Sequence, residues 1–106
     1  ISKAIYIHYV VPHMHYRGKA IKMTVVEPNG IRNEIISVPD FNFNWQWLYK
    51  LKEPVYAPKG SVILVEGVYD NTVQNPLNPD ASKELHFGIQ STDEMLIGFF
   101  NYTLAE

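Results

Sequence analysis

The 106-residue sequence contains no cysteine. That absence excludes disulfides, thiolate metal sites and thiol catalysis together. It leaves the compartment open, because a domain of this size folds without covalent staples. Charge is sparse as well: Asp, Glu, Lys and Arg make up 19% of residues and the formal net charge is −2. No basic stripe of the kind a nucleic-acid surface needs is present. No apolar run approaches the length of a membrane span. A Gly-rich nucleotide loop, a Lys/Arg phosphate cradle and a Ser-His-Asp order are all missing. Helical spacing, internal repeats and interdomain linkers are missing too. The chain begins at Ile1 and shows no signal-peptide pattern, so it reads as a fragment of a longer protein whose targeting information lies elsewhere.

What is present is the composition of a folded domain, with 46% hydrophobic residues. The length fits one domain over residues 1–106. The periodicity is that of strands. Ile5, Ile7, Tyr9 and Val11 alternate with Tyr6, His8 and Val10, and Pro12 is expected to end that strand. A second strand is expected from Ala20 to Glu27, an Asn29-Gly30 hairpin turn after it, and a return strand from Ile31 to Val38. Further strands are expected at Phe41–Leu51, Ser61–Tyr69, Leu85–Ile89 and Met95–Leu104, with an Asn- and Pro-rich loop from Asp70 to Lys83. Six to eight short strands with frequent turns predict an all-β fold, an antiparallel β-sandwich of jelly-roll type.

His13-Met14-His15 is the first feature with chemistry in it. In an extended segment residues i and i+2 share a face, so both imidazoles reach one ion. The same spacing also describes two surface histidines beside Pro12. A third ligand has to come from elsewhere. Carboxylates are hard ligands suited to zinc or iron, whereas a Met thioether is soft and favours Cu(I). Met95 opens a strand after a polar turn, a fitting place for a ligand. Among Leu96, Ile97, Phe99 and Phe100 it equally reads as core filler. Met14 and Met23 carry the same ambiguity, and composition does not choose.

The segments His13-Met14-His15-Tyr16-Arg17-Gly18-Lys19 and Ser91-Thr92-Asp93-Glu94-Met95 resemble the two signatures of the C-terminal domain of copper type II, ascorbate-dependent monooxygenases. That family includes peptidylglycine α-hydroxylating monooxygenase and dopamine β-monooxygenase. Phe43-Asn44-Trp45-Gln46-Trp47, Tyr69-Asp70-Asn71-Thr72 and Asn75-Pro76-Leu77-Asn78-Pro79-Asp80 resemble its bacterial members. The resemblance implies a jelly-roll sandwich with one copper ion held by His13, His15 and Met95. Three protein ligands leave a coordination position for water, dioxygen or another small molecule. Ascorbate is the implied reductant where the family activity is retained. His86, nine residues before Met95, matches a His of the animal peptide enzyme; it reads as an outer-shell group or as an ordinary hydrogen-bonded His.

The resemblance has limits. Val11, Ile97 and Phe99 stand where the animal peptide enzyme has an Arg, an Asn and a Tyr for its substrate, so a peptide carboxylate would find no partner. Family enzymes also draw an electron from a second copper on an N-terminal domain with three histidines. Only His8 and His86 remain here, too few for that site. An adjacent second-copper or cytochrome-like domain is therefore expected in the full-length protein, and by family analogy a periplasmic or extracellular location.

Phe41, Phe43, Trp45, Trp47 and Tyr49 occupy alternate positions. They are expected to form the core face of a strand; a stacking platform for sugar rings is the alternative. Asp93 and Glu94 are expected to serve structure, orienting Met95. Three functional readings result. One is a copper-binding monooxygenase-like domain of a larger redox protein. Another is a non-catalytic copper-binding or electron-handling module. The third is a carbohydrate-type ligand-binding sandwich with a vestigial metal site.

Overall fold

The computed structural model describes residues 1–105. The fold is all-β. Six strands, β1 (Ile5–Met14), β2 (Gly18–Val26), β3 (Arg32–Val38), β4 (Tyr49–Ala57), β5 (Val62–Tyr69) and β6 (Leu96–Leu104), form two antiparallel three-stranded sheets. Their orders are β4-β1-β6 and β3-β2-β5. The expected antiparallel sandwich is what forms. No helix of the described residues is long and apolar enough to cross a membrane.

Between the sheets sit Ile5, Ile7, Val10, Met23, Val25, Ile35 and Ala57, with Tyr49, Leu51, Val65 and Phe100 packed against them. The inward residues of β1 switch from odd to even numbers between Ile7 and Val10. The cause is a bulge: Ile7 pairs with Tyr102 and Tyr9 with Asn101, so two steps along β1 match one along β6. A bulge of one residue exchanges the faces of everything beyond it. The Tyr9 N–H donates to the Asn101 side chain (2.9 Å) within this irregular stretch. His8, the inserted residue, bonds Thr103 Oγ1 through Nε2 (2.8 Å).

Three expected elements differ from what forms. Pro12 does not end β1, which continues to Met14. Pairing with β4 stops at Val10–Tyr49, so on that side Pro12 lies on an edge, where a missing N–H is tolerated. The strand expected at Phe41–Leu51 begins only at Tyr49 and runs through Pro54 to Ala57. Before it, Phe43–Trp45 forms a 3-10 turn capped by the Asn42 side chain, which accepts from the Asn44 N–H. That local bond competes successfully with a strand ladder. Leu85–Ile89 is not a strand, and only an isolated bridge joins Phe87 to Glu94.

The aromatic stripe is corrected with its strand. Tyr49 packs on the core, but Trp45 and Trp47 are 66% and 56% exposed.

Candidate metal centre

Beyond the bulge, register decides which side chains meet. Tyr9, Val11 and His13 oppose Asn101, Phe99 and Ile97, and Met14 opposes Leu96. Directly opposed residues of an antiparallel pair share a face. His15 and Met95 each stand one residue beyond the last pair of that ladder. His13 is half-buried and His15 is buried, only 4% exposed. The two imidazoles meet edge to face with centroids 5.1 Å apart.

The rival thioethers lie elsewhere. Met14 and Met23 are wholly buried. Met14 fills the space over Gly67, where its methyl would lie 3.1 Å from an added Cβ, and Met23 does the same over Gly98 at 2.7 Å. Met95 is only half-buried. Burial thus distinguishes Met95 from two core methionines that composition left equivalent to it.

Both imidazoles are held through Nδ1. His13 Nδ1 lies 2.6 Å from Gln46 Oε1, and the Gln46 amide is fixed the other way round by Nε2 donating to the Phe43 carbonyl (2.8 Å). His15 Nδ1 lies 3.2 Å from the Asp93 carbonyl. Both partners are acceptors, so Nδ1 is the donor in each bond and Nε2 is the nitrogen left to face a ligand. This is the usual outer support of a metal-binding histidine. Phe43 meets the edge of His15 (5.9 Å) and Phe99 flanks His13 (6.3 Å).

The Asp-Glu-Met turn is fastened by Arg17, whose side chain is fully buried. Its guanidinium donates to the Thr92 carbonyl (2.8 Å), to Asn71 Oδ1 (3.0 Å) and to the Asp80 carbonyl (3.2 Å), and pairs with Glu94 Oε2 at 3.4 Å. The Arg17 N–H donates to the same Oε2 (3.2 Å). One side chain thus ties the end of β1 to both the 70–83 loop and the turn before Met95. The Tyr69 hydroxyl donates to the Met95 carbonyl (2.8 Å). Burial, and then the Glu94 charge, push that phenol up to about 12, so it stays a neutral donor. Glu94 has the structural part expected of it, and Asp93 contributes its carbonyl to His15. Glu94 Oε1 is buried without a partner among the described residues.

His86 presents its backbone to this turn: its carbonyl accepts from the Glu94 N–H (2.9 Å), while the residue as a whole is exposed. His8 lies five residues from His13 along β1, roughly 16 Å at strand rise. No group of three or more His, Cys, Asp or Glu side chains suited to a metal occurs among the described residues. Two imidazoles with one thioether would form a donor set that suits Cu(I) better than zinc or magnesium. Beside it, Tyr9, Val11, Leu48 and Phe99 line an open, mainly apolar recess of about 210 Å³.

Gln46, Arg17 and Tyr69 were not singled out by sequence reasoning. Gln46 sits in the aromatic segment, where strand alternation made it one of several outward polar residues. Arg17 stands inside the first signature, but nothing in sequence announces a buried guanidinium.

The family described as "Copper type II ascorbate-dependent monooxygenase, C-terminal domain" has a sequence model that matches residues 1–105. No curated protein matches the chain.

Proposed function

As the chain belongs to the C-terminal domain family of copper type II ascorbate-dependent monooxygenases, we propose that His13, His15 and Met95 hold one copper ion and that the domain serves a larger redox protein. The observation that carries this reading is the adjacent imidazole pair, centroids 5.1 Å apart, with both Nδ1 atoms engaged by acceptors. Copper bound there would supply one-electron and dioxygen chemistry, with ascorbate as the family's reductant.

The residues around it have separable tasks. Gln46 and the Asp93 carbonyl fix the imidazole tautomers. Arg17 and Tyr69 hold the turn that carries Met95. Val11, Leu48 and Phe99 offer a C–H surface and no cation, which favours an uncharged, apolar substrate and disfavours a carboxylate. On this reading the electron for turnover comes from an adjacent domain, a second-copper or cytochrome-like one, by family analogy. A periplasmic or extracellular location goes with this reading by family analogy.

X-ray absorption on the Cu(I)-loaded chain tests the donor set directly. One sulfur scatterer per copper is expected, and it disappears in Met95→Ala. A shell of nitrogen and oxygen alone in the wild type contradicts the assignment.

A further inference from the structure

Two indoles stand out of the surface where a small domain has every reason to bury them. Trp45 and Trp47 are 66% and 56% exposed, and their rings stack at 6.2 Å with 28° between planes. Beside them opens a recess of about 160 Å³ whose lining includes Asp40, Asn42 and Gln46. The segment that presents them is fastened: Asn42 caps the 3-10 turn, and Gln46 is bonded at both ends of its amide. Strand alternation explains neither feature, since no strand forms there.

We propose that the Trp45–Trp47 pair and the adjoining recess bind a neutral sugar ring of a glycan. A pyranose presents one flat face of C–H groups and a rim of hydroxyls that both donate and accept. The exposed indoles match the first. The Asp40 carboxylate, an acceptor only, and the Nδ2 donor of Asn42, whose Oδ1 alone is used by the cap, match the second. No Lys or Arg lines the recess, so an anionic ligand would lack a partner. A quaternary ammonium ion is better served by aromatic faces boxed around it than by two nearly parallel rings. The sugar site stands independently of copper, although Gln46 brings it next to His13.

Titration of the full, metal-free chain with gluco-, manno-, xylo- and chito-hexaose tests this, read by tryptophan emission and calorimetry, with choline as the cationic control. At least one oligosaccharide is expected to bind and shift the emission. Trp45→Ala and Trp47→Ala should each weaken that binding at least tenfold at unchanged melting temperature, since neither ring belongs to the core. Met95→Ala should bind sugar as the wild type does, which keeps this outcome separate from the fate of the copper site. Silence towards all four oligosaccharides overturns the proposal. So does equal affinity in both Trp variants, or choline binding that Asp40→Asn abolishes.

Discussion

Gln46 shows how much one side chain settles. Its Oε1 accepts a hydrogen bond from His13 Nδ1 at 2.6 Å, and its Nε2 donates to the Phe43 carbonyl. Gln46→Leu keeps the size of the side chain and removes the acceptor, which frees the ring to change tautomer. Cu(I) affinity, measured by competition with a chromophoric chelator, is expected to fall by about 10–100-fold with the fold unchanged. Arg17 acts on stability instead. Removing it leaves the Glu94 carboxylate buried and uncompensated, and Arg17→Met is expected to cost about 3–5 kcal/mol in urea unfolding. Arg17→Met with Glu94→Leu should recover part of that loss. A double variant no more stable than the single one would contradict the buried-pair account.

At the scale of elements, the bulge at His8 decides the site. It moves the inward positions of β1 from Ile5 and Ile7 to Val10 and Met14, and so puts His13 on the face opposite Met14. The sequence shows only the symptom, apolar residues on both faces of Ile5–Val11. A bulge is a property of two strands in register, and no single-strand pattern reveals it. The same limit explains the aromatic segment, where perfect alternation from Phe41 to Tyr49 gave way to an Asn42-capped turn. The two signatures were legible because they are local; their support by Gln46 and Arg17 was not, because it spans 33 and 77 residues. Gly18, just past the histidine pair, tests how tightly this end of β1 is held. A Cβ there would lie 2.7 Å from Met14 Cβ, an atom that no side-chain rotation moves. Gly18→Ala is expected to cost about 1–3 kcal/mol. At Gly67 the nearest atom is the end of Leu96, at 2.8 Å, and the cost should be smaller. Equal midpoint shifts in chemical denaturation would contradict the difference.

Across the whole molecule, the sandwich is closed by local polar devices rather than covalent ones. The 70–83 loop is ordered by turns in which Asp70 accepts from the Thr72 N–H and Asp80 from the Ser82 N–H, each at 2.9 Å. The Thr72 and Ser82 side-chain hydroxyls first, and then these backbone bonds, hold both carboxyls below the usual carboxylate range. A depressed acid contributes order that is complete above its unfolded pKa and is lost as pH falls through the folded one. Amide-exchange protection at Thr72 and Ser82 should therefore hold at neutral pH and decline only in strong acid, below pH 3.8. Loss of protection well above that value would contradict the assignment. Arg17 joins this loop to the turn before Met95, so the loop, the turn and the end of β1 form one polar assembly around the histidine pair.

The most direct test is equilibrium Cu(I) titration of the chain beside His13→Ala, Met95→Ala and, as a buried-thioether control, Met23→Leu. One equivalent should bind to the wild type and to Met23→Leu with equal affinity. His13→Ala and Met95→Ala should each weaken it at least about tenfold, or 1.4 kcal/mol. Unchanged affinity in both of those variants would contradict the account.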